Sequence, residues 1–252
     1  MKTFATLVTS DDFVIGVQVL VYSLRKHGAK YPLIVLYTNQ LSPCGVQKLQ
    51  QIYPSTTTIR LVEALPNPNV HVHVPGWINS GYTKLHVFNL VEFSTVFYID
   101  SDAFVLANVD EVLERDIRPY PFAAAPDIFP PDRFNAGVLL LHPNAELFQR
   151  LVSQSAQFQS YDGGDTGYLN AVFPDWYTYD AKARLPFAYN AQRTMHWLTY
   201  AKKPGYWDAV GDVKVLHCSS SPKPWESPDK KGDLEMLWWQ YFTEMNLEAM
   251  AS

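Results

Sequence analysis

The run Val96-Phe97-Tyr98-Ile99-Asp100-Ser101-Asp102 decides how the rest of this 252-residue chain is read. Four apolar residues in succession suit a strand inside a sheet, and two carboxylates then appear at its end. In open α/β sheets ligands bind beyond the carboxyl ends of the strands. Two carboxylates one residue apart repel each other unless a cation lies between them. Carboxylate oxygens suit Mg2+ or Mn2+, ions that also bind diphosphates. Taken alone, Asp-Ser-Asp reads as an ordinary turn at a strand exit; the apolar strand before it brings the metal-site reading forward.

Working outward, the flanking sequence alternates. Residues 3–9 predict a buried strand, and Ser10-Asp11-Asp12 a turn and helix cap. Val14, Val17, Val21 and Leu24 recur at helical spacing from Phe13 to about His27, closed by Gly28. A strand over Leu33–Leu36, a helix around 43–52 and a strand near 57–62 follow. Residues 64–80 carry Pro66, Pro68, Pro75 and Gly76 and read as a surface loop, and 83–93 has helical periodicity. Beyond the opening run come proline punctuation (Pro119, Pro121, Pro126, Pro130, Pro131), a strand over Ala136–Leu141 and a helix near 144–157. A helical stretch to about Val172, a strand at 213–217 and a helix from about Asp233 complete the chain. This rhythm predicts an α/β fold with helices on both faces of the sheet. With no repeat, charge run or long linker, one domain over 1–252 is expected.

Composition narrows the function. The formal charge is −5, which disfavours nucleic acid as a partner. At 47% hydrophobic and 14% aromatic the chain can bury a core and is not disordered. Two cysteines, Cys44 and Cys218, exclude a disulfide framework or a Cys-rich zinc site. No apolar run reaches the roughly 18 residues a membrane span needs, and Asp11 and Asp12 interrupt the N-terminal apolar run. A reduced, soluble, intracellular protein with no membrane partner is expected.

Two further segments carry chemistry. Asp162-Gly163-Gly164-Asp165-Thr166-Gly167 combines glycines, which allow close backbone approach, with carboxylates that accept hydrogen bonds from polyols. A loop with a helix cap accounts for it equally. His217-Cys218-Ser219-Ser220-Ser221-Pro222-Lys223-Pro224-Trp225 follows an apolar strand, so His217 is a candidate metal ligand and Lys223 a candidate phosphate partner. A core-edge histidine beside a proline loop is the alternative. Trp77, Trp197, Trp207 and Trp225 sit in loops, where each either stacks on a sugar or staples its loop to the core.

In order and spacing these segments resemble the glycogenin-like retaining glycosyltransferases, from about Thr3 to Trp225. The resemblance rests on Thr6-Leu7-Val8-Thr9-Ser10-Asp11, Thr83-Lys84-Leu85, and Asp100-Ser101-Asp102 with Leu106-Ala107-Asn108-Val109-Asp110. It continues in Ala124-Ala125-Pro126-Asp127, Phe134-Asn135-Ala136-Gly137, Asp162-Gly163-Gly164-Asp165 and Leu185-Pro186-Phe187, and closes with His217 and Lys223-Pro224-Trp225.

The resemblance implies a Rossmann-like GT-A fold with a mixed central sheet, its first 110 or so residues binding nucleotide and the remainder holding sugar and acceptor. It implies a UDP-sugar donor with Mn2+, or Mg2+, as cofactor. By position, Leu7, Thr9, Ser10 and Phe13 match uracil and ribose contacts, with Ser101 and Ser220 beside the donor. Asp100, Asp102 and His217 match metal ligands, and Lys84 and Lys223 the cations over the diphosphate. Asp127, Asn135, Asp162 and Asp165 match the groups that hold the transferred sugar, with Asp162 or Asp165 as catalytic carboxylates.

Three departures stand out. Trp197 occupies the place of the self-glucosylated tyrosine, with Tyr200 nearby. Ser220 replaces the family's glycine and Thr166 its glutamine. The sequence ends at Ser252, without the family's long tail that recruits glycogen synthase. The expectation is therefore a cytoplasmic, homodimeric hexosyltransferase that moves galactose or glucose onto a glycan or glycoprotein acceptor, with a self-glucosylating primer as the alternative.

Overall fold

A computed structural model describes residues 1–69, 81–226 and 232–251. In chain order its strands are β1 (Lys2–Val8), β2 (Leu33–Tyr37), β3 (Thr57–Leu61), β4 (Thr95–Ile99), β5 (Ala103–Val105), β6 (Phe122–Pro126), β7 (Phe134–Leu141), β8 (Ala191–Gln192) and β9 (Val215–His217). The helices are α1 (Val14–Lys26), α2 (Pro43–Gln51), α3 (Asp110–Leu113), α4 (Ala145–Ser153), α5 (Asp165–Val172), α6 (Arg193–Thr199), α7 (Gly205–Asp208) and α8 (Asp233–Ala251).

The main sheet runs β3-β2-β1-β4-β7-β6. Its first three pairings are parallel and the β4–β7 and β7–β6 pairings antiparallel, so the central sheet is mixed as expected. Strand alternation sorts the core into two layers. Phe4, Val35, Phe97, Ile99, Val138 and Leu140 point toward α1. Ala5, Leu36, Val96, Tyr98, Leu139 and Leu141 pack with α4, α5 and the 81–89 segment. With helices on both faces, β4 and β7 are buried throughout, which is why their sequences read as continuous apolar runs. Against α1 and the small sheet lies α8, through Leu234, Trp238, Tyr241 and Met245.

A second, three-stranded sheet, β5-β9-β8, shapes the site. The Asp100–Asp102 turn leaves β4 and enters β5, which pairs antiparallel with β9 in the register Ala103↔His217. That register, with the Cys218 amide donating to the Asp102 carbonyl at 3.0 Å, sets His217 beside Asp102 across more than a hundred residues of chain.

Several sequence expectations are corrected. The predicted helix over 83–93 is a 3-10 segment, Gly81–Asn89: Tyr82, Thr83, Lys84 and Leu85 are all buried, leaving no polar face for an amphipathic α-helix. Ser10 makes no side-chain cap; a 3-10 turn at Asp11–Phe13 precedes α1, and Asp11 Oδ1 instead accepts the Ser42 amide at 3.0 Å. The helix near 144–157 stops at Ser153, with Asn144 as its cap accepting the Leu147 amide at 2.8 Å. Strands β5, β6 and β8 were not expected: β5 and β8 are short, and proline punctuation with three alanines obscures β6. Gly28 closes α1 with φ +69°, as its position predicts. Residues 70–80 of the expected surface loop, Trp77 among them, lie outside the described residues.

Candidate active site

A cleft of about 440 Å³ opens at the carboxyl ends of β1 and β4, within the roughly 300–1,000 Å³ usual for small-molecule sites. From the sequence-predicted set, Leu7, Thr9 and Phe13 line one end, and Lys84, Asp100, Ser101, Asp102, His217, Ser220 and Lys223 its centre. Asp127, Asn135, Asp162 and Asp165 line the opposite end. Ser10 does not line it.

Asp100 and Asp102 project from the turn after β4. Tyr98 donates its hydroxyl to Asp100 Oδ1 at 2.6 Å. Lys84 lies 3.0 Å from Asp100 Oδ1 and 2.6 Å from Asp165 Oδ2, and donates to the Ala136 carbonyl at 3.2 Å. Lys223 Nζ donates to Asp102 Oδ2 at 2.5 Å and to the Cys218 carbonyl at 2.9 Å. Burial works to raise the Asp102 carboxyl, but the neighbouring Lys223 and His217 outweigh it and hold it well below the usual carboxylate range. Burial lifts Asp100 above its ordinary value against the pull of Lys84. Burial also acts to lower Lys84, yet Asp100 and Asp165 override it, and the ammonium stays charged.

The protonation of His217 follows from its neighbours. The Gly137 backbone N–H, an obligatory donor, reaches Asn135 at 2.9 Å, so the atom facing it is Oδ1. That oxygen also accepts from Asn190 Nδ2 at 2.9 Å, which turns Asn190 Oδ1 toward His217 Nδ1 at 2.7 Å. Nδ1 therefore carries a proton. In the neutral ring Nε2 then presents a lone pair 3.2 Å from Asp102 Oδ1 and 3.9 Å from Asp100 Oδ2. Three acceptors facing one another need a cation between them, either a proton on Nε2 or a metal ion. Ligand atoms of Asp100, Asp102 and His217 lie within 4.8 Å of one another, which bonds of about 2–2.5 Å to one shared ion can span. The residues fit a metal site.

At the far end, Asp162 Oδ1 accepts from Ser160 Oγ at 2.6 Å and from the Gly164 and Gly167 amides at 2.8 and 3.0 Å. Gly163, at φ +73°, lets the chain make this turn, and a Cβ at Gly167 would fall 2.5 Å from that same oxygen. Among the described residues, Asp162 Oδ2 is buried without a partner. Asp127 Oδ1 accepts from Gln192 Nε2 at 2.9 Å.

Sequence reasoning missed Gln192, Thr194, Ile128, Phe129 and Tyr161, all of which line the cleft. Gln192 lies five residues beyond Phe187, where the Leu185-Pro186-Phe187 motif ends, so proximity was its only signal. Of the tryptophans expected in loops, Trp197 lies in α6 and Trp207 in α7, while Trp225 is a staple, edge-on to Phe13 at 5.4 Å and 5.3 Å from Trp238. Trp207 packs edge-on to His196 at 5.2 Å. Trp197 is 41% exposed and stands outside the cleft lining. Cys218 is fully buried, and its thiol is pushed up to about 12, so it offers no thiolate.

The model of glycosyl transferase family 8 matches residues 5–229. The chain belongs to that family. Glycogenin-1 of Oryctolagus cuniculus is 32% identical over 224 residues, covering 89% of this chain and 65% of that protein. Human glycogenin-1 is 30% identical over 258 residues, covering 96% of this chain and 72% of that protein. The chain thus spans about two thirds of the curated relatives it matches. The galactosyltransferase LgtC, solved with donor and acceptor sugar analogues, superposes with a TM-score of 0.72 over 96% of this chain and 95% of its own, at 16% identity. That likeness identifies a GT-A type fold. In this family 8 chain, Tyr98→Phe removes the hydroxyl that donates to Asp100 and is expected to weaken binding of a divalent metal at this site, with Mn2+ as the probe, about 10-fold or more. Titration followed by electron paramagnetic resonance reads the loss, and unchanged affinity would remove Tyr98 from the site's supporting shell.

Proposed function

We propose that the chain is a retaining UDP-sugar-dependent hexosyltransferase that moves galactose or glucose to a glycan or glycoprotein acceptor, with Mn2+ held by Asp100, Asp102 and His217. One observation carries this reading: the three ligand atoms within 4.8 Å of one another lie in the same cleft as Lys84 and Lys223. Bound there, Mn2+ supplies Lewis-acid stabilisation of the charge on a departing diphosphate.

The chain's own groups do the rest. Lys223, braced by Asp102 and the Cys218 carbonyl, presents an ammonium to the β-phosphate as the anomeric C–O bond breaks. Lys84 holds Asp100 and Asp165 in place. Asp127, Asn135 and the free Oδ2 of Asp162 accept or orient sugar hydroxyls, while Leu7, Thr9 and Phe13 receive the base and ribose. The sugar gains oxocarbenium character as its bond to phosphate lengthens. Asp165 is paired with Lys84, and Asp162, held through Oδ1 by three donors, offers only its Oδ2, which this reading assigns to the sugar hydroxyls rather than to a covalent adduct. This favours a front-face route: the acceptor hydroxyl attacks from the side that UDP leaves, and its proton passes to a β-phosphate oxygen.

Two free cysteines accord with a cytoplasmic setting, and among the described residues no helix is long and apolar enough to cross a membrane. A homodimer is part of the proposal. Self-glucosylation is the competing acceptor choice; Tyr200, the tyrosine closest in sequence to Trp197, is 38% exposed and stacks on His196 at 4.3 Å, outside the cleft lining.

UDP release measured over UDP-galactose, UDP-glucose, UDP-xylose and UDP-GlcNAc tests the reading. Release is expected with one of the first two and is expected to fall more than about 100-fold on chelation, recovering with added Mn2+. A preference for UDP-GlcNAc would overturn the hexose assignment, and sugar appearing on the protein itself would identify it as its own acceptor.

A further inference from the structure

Arg193 opens α6 and is fully buried, though no motif marks it. Its Nη1 donates to Glu235 Oε1 at 2.8 Å, and its Nη2 to the Ser220 and Pro222 carbonyls at 2.6 and 2.8 Å. The guanidinium lies 3.9 Å from the centroid of Trp197, whose indole N–H donates to the same Glu235 oxygen at 3.2 Å. Glu235, near the start of α8, is also buried, and its Oε2 accepts the Gly232 amide at 3.0 Å. Next to Arg193, Thr194 hydrogen-bonds through Oγ1 to Ser220 Oγ.

A buried ion pair is a weak source of stability, since desolvation offsets much of the attraction. What this one does uniquely is geometric. A planar guanidinium is a rigid fork of donors, and here it ties two carbonyls of one loop to a counter-charge on another helix. Those carbonyls belong to the loop that carries Ser220 and ends in Lys223, the residue whose ammonium reaches Asp102. Between β9 and Lys223 the loop forms no strand, so these ties, together with the Glu226 carboxylate that accepts the Lys223 amide at 2.6 Å, hold Lys223 in place.

We infer that Arg193, held by Glu235, is a positioning residue that sets the Lys223 ammonium over the departing diphosphate; this rests on the transfer reaction proposed above. Arg193 touches neither donor nor acceptor and acts only through the loop.

Arg193→Lys in the full chain tests it, because an ammonium keeps the charge beside Glu235 but cannot reproduce the fork. The kcat for UDP release is expected to fall about 10–100-fold with donor KM changed less than about threefold, since Lys223 acts on charge that develops in the transition state. In a Lys223→Ala background the same substitution is expected to cost less than about twofold, the signature of two residues acting as one unit. An equal cost in both backgrounds would overturn the inference. Hydrogen exchange gives a readout without turnover: the Lys223 amide is expected to exchange about tenfold faster in Arg193→Lys, and unchanged exchange would overturn the anchor. Faster exchange in a chain whose parent releases no UDP would support the anchor and overturn the transfer reading alone. Should Arg193→Lys fail to fold, Glu235→Gln, which keeps the fork but removes its counter-charge, is read by the same exchange and kinetic comparison.

Discussion

Asp102→Asn is expected to lower UDP release by about 10³-fold or more, equivalent to about 4 kcal/mol of lost transition-state stabilisation. Asparagine keeps the shape but removes the charge and replaces one acceptor oxygen with an NH2 donor. In the parent, Asp102 faces His217 Nε2 at 3.2 Å and Lys223 Nζ at 2.5 Å, so one carboxylate serves both the candidate metal and the candidate phosphate cation. Losing it removes a ligand and leaves a buried ammonium without its counter-charge. Mn2+ affinity should fall together with turnover, and a metal titration beside the UDP-release assay measures both. Circular dichroism identifies any general unfolding. A folded Asp102→Asn protein within about tenfold of parental turnover would sink the assignment of this carboxylate.

Gly137→Ala is expected to lower turnover about 100-fold or more without altering any ligand, because a misplaced reacting group costs that much when a site shifts by about an ångström. A Cβ at Gly137 would fall 2.2 Å from His217 Cε1, 2.7 Å from its Nδ1 and 2.9 Å from Asn135 Oδ1. The imidazole has nowhere to retreat: its Nδ1 is bound to Asn190 and its strand is paired on both sides by β5 and β8. Either the ring turns away from Asp102 or β7 shifts and takes Asn135 with it. Overpacking of this kind also costs about 1–3 kcal/mol of stability, visible in thermal melting. Gly205→Ala is the control, since none of the described residues lies within 4 Å of the added methyl and near-parental turnover and melting are expected. Parental turnover in Gly137→Ala would show that the His217 ring position is not critical.

The candidate site was largely legible because its residues sit where chain direction changes. Asp100 and Asp102 follow an apolar strand, Asp162 and Asp165 flank a glycine turn, and His217 ends a strand. Each is a local pattern, and order along the chain tied them to one family. Gln192, Thr194 and Arg193 were not legible: Gln192 ends a two-residue strand and Arg193 and Thr194 begin the short helix after it, in a stretch with no strong periodicity. The 83–93 segment misled in the opposite direction, since its apolar residues imitate a helical repeat while the chain buries consecutive positions.

By itself the sequence determined the alternation of strands and helices, the buried character of β4 and β7, and the residue types gathered at strand ends. Those follow from local hydrophobic pattern and turn chemistry, which act over a few residues. Only the tertiary structure decided that β5 pairs with β9 and so places His217 beside Asp102, that Asn190 turns the imidazole's Nε2 toward two carboxylates, and that Arg193 fastens the Lys223 loop. Those depend on pairing register and on hydrogen bonds between segments tens to more than a hundred residues apart, which no local pattern encodes.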